Sequence, residues 1–106
     1  VFKRFKYNCE IYYSTEESVQ AFAKSIIDAI RAGHVVVLNY KLGDIGHFSP
    51  VQAFHSEDEC VCVMDVWPGN GVSWHELEHI WACVNTVTGK GESRGWLVVE
   101  KPEWLK

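Results

Sequence analysis

Apolar positions along the chain switch between two spacings, and the switches mark its elements. Over residues 1–13, Phe2, Phe5, Tyr7, Ile11 and Tyr13 recur loosely and predict a strand or an extended lead-in. Val19, Phe22, Ala23, Ile26, Ile27 and Ile30 then follow a 3.6-residue period, so a helix is expected, with Gly33 as its stop. Ser14-Thr15-Glu16-Glu17 has the form of a capping box ahead of that helix, Ser14 accepting from the Glu17 amide and the Glu17 carboxylate answering. Residues 34–40 are a β-branched run, which predicts a buried strand. Residues 41–46, with two glycines, read as a loop.

A second strand is expected over 47–54, irregular or at a sheet edge because Pro50 has no amide proton to give. Polar residues 56–59 turn the chain into another apolar strand at 60–66, the two pairing as a hairpin. After a loop at 68–71, Ser73-Trp74-His75-Glu76 reads as a second capping box. It opens a helix whose buried stripe is Leu77, Ile80, Trp81 and Val84. A loop at 88–93 leads to a last strand at 96–99. The order of elements predicts an α+β fold with an antiparallel sheet and flanking helices. At 106 residues the chain is one domain or a portion of a larger one.

Composition narrows the classes of function. An apolar fraction of 47%, with five Trp, five Phe and four Tyr, supports a packed core rather than disorder. A net charge of -4 argues against nucleic acid or an anionic membrane as partner, since both require clustered Lys and Arg. No apolar run approaches the roughly 18 residues of a membrane span, and Val1-Phe2-Lys3-Arg4 is not a signal peptide. Cys9, Cys60, Cys62 and Cys83 do not make a disulfide framework, so reduced thiols and a cytoplasmic setting are expected.

Candidate chemistry centres on Gly46-His47-Phe48-Ser49-Pro50 and Met64-Asp65-Val66. A His opening one strand and an Asp on the next suit a general base and the carboxylate that fixes its tautomer. Asp65 interrupts an apolar run, and a carboxylate there must be paired or face an opening. Arg94, at the start of the last strand, is a candidate carboxylate fork. Gly46 is a candidate for close backbone approach to substrate, although a glycine before a strand is also turn chemistry. Lys90 reads as a surface loop residue.

Other patterns receive plainer readings. His75-Glu76-Leu77-Glu78-His79 has the His-Glu-x-x-His form of zinc proteases, but no third ligand follows at a convincing spacing, so a solvated helix face is the default. Cys60 and Cys62 share one side of a strand, as soft-metal ligands or, in the preferred reading, as small core residues. Cys83 also reads as core. Cys9, the one thiol upstream of His47, sits in an extended stretch rather than at a helix N-terminus, where a thiol pKa would be lowered.

Taken in order, five blocks resemble the papain-like catalytic domain of phytochelatin synthase, the glutathione γ-glutamylcysteinyltransferase. They are Gly-His-Phe-Ser-Pro at 46–50, Asp65-Val66, the helix from Trp74 to Trp81, Thr88-Gly89-Lys90, and Arg94-Gly95-Trp96. The resemblance covers nearly the whole chain from Cys9 to Val99. It implies a papain-like fold and a Cys-His-Asp thiol mechanism, with His47 as base and Asp65 as its orienter. It also implies that Arg94 binds the γ-glutamyl α-carboxylate. The reaction implied is transfer of γ-glutamylcysteine from one glutathione to another, with a heavy-metal ion such as cadmium entering as a thiolate complex with the substrate and no covalently bound cofactor.

The family's nucleophilic Cys lies well upstream of the His, whereas only 46 residues precede His47 here. The chain is therefore expected to be the C-terminal portion of the catalytic domain, with the missing N-terminal half as its partner and a homodimer as a further option. Trp67-Pro68-Gly69-Asn70 stands where the family carries basic residues, which keeps open a hydrolase that removes Gly from glutathione or its conjugates. A non-catalytic thiol-peptide or metal-binding module is the third alternative.

Overall fold

A computed structural model of the chain describes residues 8–43, 45–65, 69 and 71–101. In chain order these form β1 (Cys9–Tyr13), α1 (Val19–Ala32), β2 (Val35–Leu42), β3 (Ile45–His55), β4 (Cys60–Met64), β5 (Val72–Glu76), α2 (Leu77–Val84) and β6 (Gly95–Val99). The six strands make one sheet in the order β1-β6-β2-β3-β4-β5, and every neighbouring pair is antiparallel. The α+β architecture agrees with the sequence reading. The lead-in over 1–7 and residues 68 and 70 of the expected loop lie outside the described residues.

Helix α1 begins and ends for local reasons. The Ser18 side chain accepts from the Ala21 amide at 3.1 Å, and Gly33 closes the helix in the left-handed region at φ 77. The expected Ser14 cap is not made. Ser14–Glu16 is instead a turn of 3-10 helix, and Ser14 is buried with its hydroxyl 3.2 Å from Ser93 Oγ. A buried hydroxyl needs a partner, and the facing serine supplies it better than a solvent-exposed helix end would.

Two further expectations are corrected. Residues 41–46 are not a loop, because β2 and β3 stay paired as far as Leu42 and Ile45, with Gly43 turning the chain at φ 64. Residues 73–76 are not a capping box, because they belong to β5 and pair with β4 from Cys60↔Glu76 to Met64↔Val72. That ladder satisfies more backbone groups than one cap, and α2 starts without a side-chain cap, its Leu77 amide bonded to Glu59 O at 2.8 Å. Pro50 sits in an interior strand, and the irregularity it predicts is a register slip between Val51 and Ala53.

Both helices pack on one face of the sheet. Phe22, Ile26, Ile80 and Val84 meet Val36, Leu38, Val61, Val63, Trp96 and Val98 there. Each such side chain contributes about 1.5–3 kcal/mol on burial. Trp96 stacks on Tyr12 at 5.2 Å and presents an edge to Phe22 at 5.0 Å, tying β1, β6 and α1 together. A Cβ on Gly95 would stand 1.9 Å from Tyr12 O, so β1 and β6 approach as only glycine allows. The other face carries Ile11, Tyr13, Val35, Phe48 and Trp74, all exposed, with a depression of about 120 Å³ among Ile11, Val37, Phe48 and Leu97. No helix among the described residues is long and apolar enough to cross a membrane.

Candidate active site

The hairpin of β2 and β3 builds the site. Its register sets Tyr40 directly opposite His47. The two rings stack at 5.5 Å and 22°, and His47 is 8% exposed. Ser49 lies two residues further along β3 and therefore on the same face, where its hydroxyl is 3.0 Å from the Tyr40 hydroxyl. Both of these polar groups are buried and satisfy each other.

Asp65 arrives on the neighbouring strand. β4 opposes β3 with Val51 facing Val63, and one further repeat of that register brings Asp65 level with Ser49, on the side of His47 and Tyr40. Its amide donates to Gly71 O at 2.9 Å. Burial pushes the Tyr40 phenol above its ordinary value, the Ser49 hydrogen bond opposes this, and the Asp65 charge adds to the rise. The carboxylate therefore acts within the Tyr40–His47 neighbourhood.

Arg94 comes to the same place from β6. Asn39 pairs with Gly95, so Arg94 stands at the level of Tyr40. Its backbone is held on both sides, the carbonyl by the Ser14 amide at 2.8 Å and the amide by Thr86 O at 2.9 Å. Nη1 donates to Thr86 Oγ1 at 3.2 Å and to Val87 O at 2.8 Å. Thr86 is oriented to accept, since its own hydroxyl donates to Cys83 O. Nε is buried and, among the described residues, has no hydrogen-bond partner.

The Nε–Nη2 edge of that guanidinium faces Gly46. A Cβ built on Gly46 would lie 3.1 Å from Nη2, 3.5 Å from Nε and 3.7 Å from Cζ. Because Cζ is the farthest of the three, the point lies off the edge of the guanidinium rather than over its face. The absent side chain gives clearance to the edge that still has unused donors. The two residues predicted to contact substrate are thus neighbours, one position from His47.

Of the cysteines, Cys83 lies near Tyr40, where a thiolate charge would add to the rise of the phenol. Cys9 is on β1, three strand spacings or about 14 Å from β3. Cys60 and Cys62 lie on the face of β4 opposite Val61 and Val63, and burial pushes the Cys62 thiol up. Cys83 sits in the last turn of α2, where the helix dipole disfavours a thiolate, and burial raises it too. No group of three His, Cys, Asp or Glu able to hold a metal occurs among the described residues.

The His-Glu-x-x-His pattern is not a two-ligand helix face. His75 belongs to β5 and His79 to α2, with their rings stacked at 5.8 Å and 18°. His75 Nε2 is 2.9 Å from Ser73 Oγ. Burial and then the nearby His79 charge lower the His75 pKa, and Asp65 partly opposes them. Thr88 of the Thr-Gly-Lys block is a turn residue, its hydroxyl accepting from the amides of Lys90 and Glu92.

Residues 1–96 match the family model described as phytochelatin synthase. The chain belongs to the phytochelatin synthase family. It is 28% identical over 103 residues to glutathione gamma-glutamylcysteinyltransferase 3 of Lotus japonicus, an alignment covering 87% of this chain and 21% of that protein. It is 24% identical over 104 residues to glutathione gamma-glutamylcysteinyltransferase 1 of the same plant, covering 88% and 20%. The chain spans about a fifth of the length of these relatives.

Within a phytochelatin synthase sequence, Tyr40 and Thr86 escape a reading based on motifs, and Ser49 lies inside the Gly-His-Phe-Ser-Pro block without a role of its own. Tyr40 closes an apolar run and looks like core. Its register with His47 follows from the Gly43-Asp44 pair, a two-residue hairpin signal. Thr86 carries no local signal, since its partner is eight residues away.

Proposed function

We propose that the chain is the His/Asp part of a papain-like catalytic domain that transfers γ-glutamylcysteine from glutathione to a second glutathione, extending thiol peptides for heavy-metal detoxification. The observation that carries this reading is the convergence of His47, the Asp65 neighbourhood and the Arg94–Gly46 pair on adjoining strands, in a chain of this family. The nucleophilic Cys is assigned outside the chain, since no cysteine here combines proximity to His47 with an activating environment.

In the proposed reaction, His47 takes the thiol proton as sulfur attacks the carbonyl of the glutathione Cys-Gly bond. The C–N bond then breaks, the proton passes to the departing Gly amine, and a thioester remains. The amine of a second glutathione attacks the thioester, gives its proton to His47, and releases the thiol with a longer peptide. Asp65 holds the imidazole and stabilises its protonated form. Arg94 holds the γ-glutamyl α-carboxylate through donors not used by Thr86 and Val87. A cadmium–glutathione thiolate complex serves as acceptor substrate, and the setting is cytoplasmic.

The test measures Gly release and peptide growth in the protein that includes the nucleophile, with glutathione and cadmium varied independently. Wild type is expected to release Gly and make longer peptides, and His47→Ala to do neither. Gly release without peptide growth selects the deglycinating hydrolase. Glutathione binding that is equal in both proteins, with no Gly from either, selects the non-catalytic thiol-peptide or metal-binding module.

A further inference from the structure

The strongest unused feature of the site is the buried pair beside the base. Tyr40 is 3% exposed and Ser49 fully buried, yet their hydroxyls meet at 3.0 Å in a face otherwise filled by aliphatic and aromatic groups. A core that needed only volume there would be served by Phe and Ala, with no polar pair to desolvate. The hydroxyl contact fixes the far end of the Tyr40 ring, whose face lies 5.5 Å from the His47 imidazole and within 22° of parallel. The near end is fixed by the strand register, which pairs Tyr40 and His47 directly. A ring held at both ends makes a rigid wall for the imidazole.

We propose that Tyr40, locked by Ser49, is a positioning residue that sets the plane of the His47 ring for proton transfer. This rests on His47 being the base. The expected division of labour is that Asp65 governs tautomer and charge, and Tyr40 governs the plane in which the base's nitrogen points. The two hydroxyls share one hydrogen bond, which either can donate, and burial of the Tyr40 phenol raises its pKa further above the neutral range. Tyr40 touches no reacting atom, so its loss should slow the chemical steps without altering affinity for glutathione.

Three variants separate this from a purely structural role. Tyr40→Phe keeps the stacked ring and loses the lock; Ser49→Ala keeps the ring and leaves the lock without its partner; Tyr40→Leu removes the wall. The readouts are kcat and KM for Gly release, and the His47 ring proton shifts by nuclear magnetic resonance, which a stacked phenol displaces upfield. Expected are a drop in kcat of about threefold for Tyr40→Phe and Ser49→Ala, and about thirtyfold for Tyr40→Leu, each with KM within about twofold. The upfield shift should persist in Tyr40→Phe and vanish in Tyr40→Leu. Should Tyr40→Leu not fold, the first two variants and the wild-type shift still decide.

Wild-type His47 protons lacking the upfield displacement would overturn the proposal, as would Tyr40→Phe and Ser49→Ala both at wild-type kcat. So would a rise in KM that matches the fall in kcat/KM. His47→Ala retaining full Gly release would instead remove the base assignment, and with it the functional premise, while leaving the ring-stacking result intact.

Discussion

The two faces of the sheet are built from the same alternation yet end differently. On the helix-covered face, Val36, Leu38 and Tyr40 of β2 run in sequence from deep core to the edge of the site, and the Tyr40 hydroxyl admitted there is matched by Ser49, while Trp96 Nε1 is buried with no hydrogen-bond partner among the described residues. On the opposite face the same strands present Val35 and Phe48, with Phe48 60% exposed, and among the described residues no helix covers them. One face is a closed interior with the candidate site on its rim. The other has apolar composition without a cover, which makes it the less constrained of the two in this chain.

That contrast breaks most readily by mutation in the core. Leu38→Ala, on the covered face, should cost about 2–5 kcal/mol, because the cavity left behind cannot collapse against two packed helices. Phe48→Thr, on the open face, should change stability by less than about 0.5 kcal/mol. Urea unfolding of both variants measures the difference. A large loss from Phe48→Thr would show that the open face is covered in solution and would end the contrast.

A smaller effect sharpens the view of the rim. Gly46→Ala puts a Cβ 3.1 Å from Arg94 Nη2, and the guanidinium must give by a few tenths of an ångström. Its Thr86 and Val87 bonds resist that movement. KM for glutathione should rise about three- to tenfold, equivalent to at most about 1.4 kcal/mol, while urea stability stays near wild type. Unchanged KM would separate Gly46 from substrate recognition.

The smallest expected effect is a pH dependence. His75 has a folded pKa below its ordinary 6.5, from burial first and the His79 charge second. The unfolded chain therefore takes up the proton before the folded one does. The stability this group contributes is complete above about pH 6.5 and declines as pH falls toward the folded value. His75→Gln should flatten the part of a stability profile that declines below about pH 6.5. A profile identical to wild type would contradict the assignment.

How much of this was legible in sequence depends on range. Helix α1, the stripe of α2 and strands β2, β3, β4 and β6 follow from periodicity, because each buries a repeating side-chain pattern. The N-cap and β5 did not, for related reasons. Ser14-Thr15-Glu16-Glu17 and Ser73-Trp74-His75-Glu76 both satisfy a local capping rule, but a buried serine contact and a β4 ladder outweigh it through residues far along the chain. At the site, His47, Asp65, Gly46 and Arg94 were visible as types in blocks. That Arg94 and Gly46 touch was not, since 48 positions separate them and only the strand order β6-β2-β3 brings them together.

The central claim is that two side chains at the ends of different strands divide the work, Asp65 serving the base and Arg94 serving the substrate. Steady-state Gly release by Asp65→Asn and Arg94→Ala tests it most directly. Asp65→Asn should lower kcat by about a hundredfold or more with KM little changed, because the imidazole then favours the wrong tautomer. Arg94→Ala should raise KM by about tenfold to a hundredfold, the loss of a charge-assisted bond worth about 1.5–3 kcal/mol, with kcat retained. The same kcat and KM in both variants as in wild type, or a KM effect from Asp65→Asn and a kcat effect from Arg94→Ala, would contradict the account.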